Sequence, residues 1–335
     1  MAVYYVRADG GGSDSNVGTS FGAAWATPEY ANTTATNYDT IYLCSNSSNK
    51  FTIATELTNG AIFWRGADLV DGSPYNGAGK AYMKATSTRM FNDSVFYGIH
   101  DIDFEGSSTT TRFCGSGTIS NGTFTGCNFH DFERALNLGN AVNVICYRCN
   151  FYGNSDYGML FYGETNASMV FEQCAFYNNA NNVYIATDSA NWSRRKFTFR
   201  NCRIFNPTSN WNIYMDYGRL ALIGNVIYGA PSDNITFKGD AIIDIAINNI
   251  ISGAGAYGID RSETSTWEYV YMDYNCFYGN TSGNVNSGFN GGVLPGNNNI
   301  LTDPKFTSVV SGSEDFSLQA TSPCLDIGYG YRGGK

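Results

Sequence analysis

The sequence predicts an all-β solenoid, a parallel β-helix whose coils each hold three short strands. Three observations predict it. First, a nine-residue pattern returns seven times between Phe124 and Asn280, as FTGCNFHDF, CYRCNFYGN, FEQCAFYNN, FRNCRIFNP, LIGNVIYGA, AINNIISGA and MDYNCFYGN. Second, its fourth residues (Cys127, Cys149, Cys174, Cys202, Asn225, Asn249 and Asn275) lie 22, 25, 28, 23, 24 and 26 residues apart. A period in this range, with the variation absorbed by loops, marks stacked coils. Third, two columns stay apolar in every copy. Phe124, Cys146, Phe171, Phe199, Leu222, Ala246 and Met272 precede the anchor by three; Phe129, Phe151, Phe176, Ile204, Ile227, Ile251 and Phe277 follow it by two. Alternation of period two on both sides of the anchor means two strands joined by a bend.

The elements follow in chain order. VYYVR from Val3 reads as a strand and passes into a glycine-rich loop, where Asp9 and Asp14 are turn residues or, alternatively, calcium ligands. Thr27 is placed as an N-cap, with Pro28 at the first helical position and Glu29 in the first turn. That short helix caps the open end of the first coil, so residues 1–38 form an N-terminal strand, loop and cap. DTIYLCSN from Asp39 and AIFWRGA from Ala61 are the first coil strands. The residue before each anchor (Gly126, Arg148, Gln173, Asn201, Gly224, Asn248, Tyr274) is the bend. Gly153, Asn178, Asn206, Gly229, Gly253 and Gly279, four after the anchors, turn the next corner. A third strand precedes most copies: ALNL at Ala135, GMLF at Gly158, NVYI at Asn182, NIYM at Asn212 and NITF at Asn234. Coils fill 39–289, roughly ten in all, and 290–335 is a closing coil and tail, the whole being one domain.

Composition narrows the function. Charged residues make up 15% of the chain and the net charge is −9, which argues against nucleic acid as partner, since phosphate binding needs a basic surface. No apolar run approaches the ~20 residues of a membrane helix. MAVYYVRADG has neither the basic nor the apolar region of a signal peptide, so the expected setting is the cytosol of synthesis, or a secreted form whose leader has been removed. Nine cysteines are an odd number. Four of them share one inward column, where parallel side chains suit a bridge badly, so a reduced cysteine ladder is expected, giving way to an asparagine ladder in later coils.

The ends of the chain carry a resemblance. YYVRADGGGSDSNVGTSFGAAWATPEYA followed by DTIYL, and DPKF at Asp303 followed by DFSLQATSPCLDIG from Asp315, resemble the first and closing coils of pectate-lyase-like right-handed β-helix proteins. The resemblance implies a single right-handed parallel β-helix. It does not imply one activity, because that superfamily includes polysaccharide lyases, glycoside hydrolases, surface proteins and phage tailspikes. The NTD, paired DD, GHG and RIK of polygalacturonase-like hydrolases are absent. So is an obvious aspartate cluster of the pectate lyase kind, and no catalytic residue is carried over.

Candidate residues therefore come from position alone. Glu164, Asp188 and Asp240 each lie three past an inward apolar residue, and Asp216 and Asp260 one past Met215 and Ile259. Stacked in register they make an acidic ridge with carboxylates one or two coils apart, the spacings of glycosidase pairs. A second surface is the column three after each anchor, with His130, Tyr152, Tyr177, Phe205, Tyr228 and Tyr278, a platform for sugar rings or a protein. His100 and His130 each adjoin an aspartate and read as surface residues. The loop TDSANWSRRK adds Trp192, Arg194, Arg195 and Lys196, an exposed cationic patch suited to an acidic glycan or an acidic protein surface, or else a solvated loop. The expected function is a non-catalytic structural or adhesive β-helix of a virus particle, such as a capsid decoration or tailspike-like protein. Its partners would be other virion or surface proteins and polysaccharide, with trimers allowed and no required cofactor. A lyase or hydrolase acting on an acidic glycan is the alternative.

Overall fold

The structure, a computed structural model, describes residues 1–58, 61–75, 79–92, 98–107, 109–114, 121–139, 143–163, 166–186, 195–261 and 269–325. These fall into two compact units, 1–169 and 170–335, and both repeat the same coil of three parallel strands.

In residues 1–169 the first face runs through Val3–Arg7, Thr40–Cys44, Phe63–Ala67, Gly98–His100, Gly122–Thr125 and Asn143–Tyr147, each parallel to the next. Val3–Arg7 is thus a coil strand in its own right, since Val3 pairs with Thr40. The second face holds Phe51–Ile53, Ala81–Ala85, Ile102–Glu105, Asn128–His130 and Asn150–Tyr152. The third holds Arg89–Phe91, Arg112–Cys114, Arg134–Leu138 and Tyr157–Phe161. The helix forms at Pro28–Thr34, its Thr27 hydroxyl accepting from Tyr30 N. Asp14 reinforces that start by accepting from Ala26 N, Thr27 N and the Thr27 hydroxyl. Asp9 pairs with Arg7 at 2.6 Å and accepts from Gly11 N. Both carboxylates hold local backbone, as turn chemistry requires.

In residues 170–335 the first face holds Arg195–Arg200, Gly218–Ile223, Ala241–Ile247 and Tyr269–Asp273. The second holds Ala175–Tyr177, Arg203–Phe205, Val226–Tyr228, Ile250–Ser252 and Cys276–Tyr278. The third holds Asn181–Ile185, Ile213–Met215, Ile235–Phe237, Tyr257–Arg261 and Gly283–Val285.

Every anchored apolar column is buried, with no member more than 2% exposed. Phenylalanines stack along the interior, Phe129 on Phe151 at 4.9 Å in the first unit and Phe171 on Phe199 at 4.9 Å in the second. Each such ring contributes ~2–3 kcal/mol by leaving water. All seven bend residues have φ between 53° and 68°, including Arg148, Gln173 and Tyr274, which carry side chains into the left-handed region. The six corner residues also lie in the left-handed region, with φ between 45° and 70°, and Asp131 is a seventh.

All nine cysteines are free and eight are buried. The thiols of Cys127, Cys149 and Cys202 donate to the carbonyls of Ile99, Phe124 and Phe171, each on the preceding coil. The amides of Asn225, Asn249 and Asn275 reach the equivalent carbonyls of Phe199, Leu222 and Ala246. They also form a chain through their own oxygens that ends on Asn299. A second buried asparagine ladder, Asn182 to Asn212 to Asn234, begins the third-face strands.

The end of the chain departs from the expected closing coil. Ile300 makes one parallel bridge to Cys276, and then Phe306–Ser308 and Asp315–Leu318 form an antiparallel hairpin. Phe306 and Phe316 pack on Phe205, Ile250 and Cys276, so the segment folds across the second face instead of extending the stack.

Candidate functional site

On the outer second face of residues 1–169, strand pairing lines up charged and polar side chains. Lys84 pairs with Glu105, Glu105 with His130, and His130 with Tyr152; beside them run Asp103, Asn128 and Asn150. Outward residues of adjacent parallel strands stand ~4.8 Å apart, so these groups touch. Glu105 takes Lys50 on one oxygen and Lys84 on the other, both at 2.5 Å. Burial works against its charge, but the two ammonium groups outweigh it and hold its carboxyl below the usual range.

His130 sits between two carboxylates, Nε2 2.7 Å from Asp103 Oδ1 and Nδ1 2.7 Å from Asp131 Oδ2. An imidazolium donates to both, whereas a neutral ring would turn one lone pair towards an anion. Burial opposes the proton, and the two aspartates overcome it, raising the pKa above the ordinary value. The ring stacks on Tyr152 at 4.9 Å with 9° between planes. Asp103 also accepts from Asn128, which accepts from Asn150. Where the strip meets the corner, Glu105, Gly106, Ser107, Thr109, Asp131 and Ser155 line a groove of ≈ 320 Å³. Gly106 is needed there, since a Cβ would stand 2.2 Å from the Asp131 carbonyl oxygen.

Two lysines and His130 meet three carboxylates over this strip, which is dense in donors and acceptors. HDIDFEG aligns with TGCNFHD and therefore marks a coil whose anchor is Ile102. Taking the repeat from Cys127 passes over it because Ile102 is neither Cys nor Asn. Asp103, Glu105, Lys84 and Lys50 were consequently missed by reading the sequence, and the signal that finds them is the bend residue Asp101, with φ of 55°.

In residues 170–335 the same column behaves differently. Tyr177 stacks on Phe205 at 5.1 Å and 7°, and Tyr228 meets Phe316 at 5.5 Å. Tyr177 and Tyr228, both expected as exposed ligand contacts, are thereby partly buried, while Tyr278 stays 43% exposed. Tyr152 lies half-buried beside His130.

The remaining expected residues separate. Glu164, Asp188, Trp192 and Arg194 lie outside the described residues. Arg195 is fully buried, a correction to its place in an exposed cationic patch. The strand Arg195–Arg200 alternates inward and outward, and Arg195 shares the inward set with Phe197 and Phe199 while Lys196 faces out. Asp216, Asp240 and Asp260 do not share a column. Asp260 pairs with Thr236, and Thr236 with Tyr214, which puts Asp216 two positions further along its strand line. Asp216 accepts from the Tyr214 hydroxyl at 2.8 Å, and Asp240 is exposed in a turn. Asp260 accepts from Asn286, and its carboxyl is pushed up by burial and then by the nearby Asp233. Among the described residues no group of three or more His, Cys, Asp or Glu is placed to hold a metal ion.

Comparison with known proteins agrees with this architecture. Residues 75–218 match the family described as right handed beta helix region. What the matches share with the chain is the fold, a right-handed parallel β-helix. Pectate lyase Pel9A is similar over 100% of this chain and 93% of its own, with a TM-score of 0.60 and 14% identity. ORF18 of Geobacillus virus E2 is similar over 82% of this chain and 56% of its own, with a TM-score of 0.51 and 17% identity. At these identities the likeness is one of fold. No curated protein matches the sequence.

Proposed function

We propose that this protein is a non-catalytic, adhesive β-helix of a virus-particle surface that holds a hydroxyl-rich glycan along its outer second face. The observation that carries the reading is the His130–Tyr152 stack, set in the Asp103–Asn128–Asn150 hydrogen-bonded row and opening onto the Glu105–Asp131 groove. An aromatic face beside fixed donors and acceptors is how proteins hold sugar rings. The carboxylates of the strip are already engaged, Glu105 by two lysines and Asp103 and Asp131 by the His130 ring, which suits positioning more than proton transfer. The virion setting is supported by a fold also found in a Geobacillus virus protein.

One observation favours an enzymatic second reading. Asp260 is a carboxyl with a raised pKa beside another carboxylate, the property a general acid needs, in a fold shared with a pectate lyase. A single experiment separates the two: incubation with a panel of neutral and acidic envelope polysaccharides, following retention on the protein, new reducing ends and unsaturated uronate absorbance. Retention without new ends, weakened ~10-fold or more by Tyr152→Ala, is the expected result. Cleavage that Asp260→Asn abolishes would establish the enzyme instead.

A further inference from the structure

The aromatic column of residues 170–335 has one gap. Strand register places Phe205, Tyr228, Ser252 and Tyr278 on successive coils at the same outward position. We propose that the gap at Ser252 is a binding slot for a single pyranose ring, seated between Tyr228 and Tyr278 at the edge of the C-terminal hairpin.

The dimensions fit. Two coils separate the tyrosines by ~9.6 Å, and a van der Waals contact of ~3.5–4 Å on each side leaves about 2 Å for the puckered ring itself. A cavity of ≈ 580 Å³ opens there, lined by Tyr228, Ser252, Tyr278, Asp303, Lys305 and Gln319 among others. That is within the range of small-ligand sites.

The chemistry fits as well. Ser252 is 2% exposed, and its Oγ has no hydrogen-bond partner. A buried hydroxyl without a protein partner is rare in a folded protein and calls for an explanation; a ligand hydroxyl in this cavity supplies one. Around the rim, Asp303 commits one oxygen to Lys305 N, and Lys305 holds a left-handed φ of 54° that turns the chain around the opening. Apolar faces on two sides with hydroxyl, carboxylate and amide groups between them match a sugar, which has apolar ring faces and a polar perimeter. A planar aromatic ligand would leave that perimeter unmatched.

The proposal takes its ligand class from the glycan-binding reading above but uses different residues, so the two can fail separately. The test is saturation-transfer NMR with methyl glycosides of hexoses, N-acetylhexosamines and hexuronic acids at ~10 mM, where a millimolar ligand is well populated. Three variants accompany the wild type. Ser252→Tyr fills the gap in the column and should abolish the signal, with its thermal midpoint checking that the variant folds. Tyr278→Ala should weaken binding ~10-fold, and Tyr152→Ala should leave it unchanged. A glycoside that binds the wild type but not Ser252→Tyr supports the slot, even if no polymer is retained on the other strip. No signal from any glycoside, or a signal that persists in Ser252→Tyr, overturns it.

Discussion

The backbone N–H of Cys202 donates to Asn225 Oδ1 at 2.9 Å, which joins the thiol part of the anchor column to its amide part. Both side chains donate to a carbonyl of the preceding coil, but only asparagine also accepts from the backbone of the coil before it. Asn225 and Asn249 repeat that double role with Asn249 and Asn275.

The two kinds of anchor should therefore differ in cost. Asn249→Ala removes the acceptor for Asn225 N and Nδ2 and the donor to Leu222 O, all buried. About 3 kcal/mol or more should be lost, at ~1–3 kcal/mol for each stranded group. Cys174→Ala deletes a small side chain with a weak donor and should cost ~1–2 kcal/mol. Urea denaturation of the two variants checks the ranking, and equal losses would contradict the double role.

The bends yield a prediction of opposite sign. Gln173 holds φ of 54°, a conformation that costs an L-residue ~1 kcal/mol and glycine almost nothing. Gln173→Gly should leave the thermal midpoint level or raise it, although the residue adjoins a strand. Gln173→Val, branched at Cβ, should lower it clearly.

The repeat made most of this legible. Two apolar columns, a bend and a corner recur at Phe124–Asn280 whatever the loops do, because stacked coils constrain inward residues and leave loops free. Register between outward residues was harder to read. Asp216 and Asp260 look equivalent when counted from Met215 and Ile259, yet Met215 pairs with Phe237 and Ile259 with Ile235. Arg195 looked like loop chemistry because its charge hid a period-two strand. The hairpin was unreadable for another reason: Phe306 and Phe316 are apolar in any coil, and only the tertiary fold says that they cover Phe205.

Thiol reactivity should single out one cysteine. Cys324 is the one cysteine that is not buried, and a hydrogen bond from Cys276 holds its pKa below the ordinary thiol value. Burial pushes the Cys44 thiol up to about 12. Alkylation of the native protein followed by peptide mapping should label Cys324 first, with the ladder cysteines reacting only on unfolding. Early labelling of Cys149 or Cys202 would contradict the buried ladder.

The chain has two histidines, and their titrations should move apart. His130 is raised by Asp103 and Asp131 against burial, and His100 is lowered, by burial first and then Arg65. The proton on His130 stabilises the fold fully below the unfolded value of about 6.5, and this contribution disappears as pH rises through the folded value. For His100 the unfolded chain takes up the proton more readily, so stability falls as pH drops below about 6.5. Two ring resonances titrating on either side of that value are expected by NMR. His130→Gln should remove the loss on the alkaline side only.

The central claim is that the outer second face holds a glycan without cutting it. The most direct measurement is the length distribution of a retained polysaccharide, recovered after prolonged incubation and resolved by size-exclusion chromatography. An unchanged distribution, with retention lost in Tyr152→Ala, is the predicted result. Progressive shortening by the wild-type protein would contradict the claim and move the active residues to the third face around Asp260.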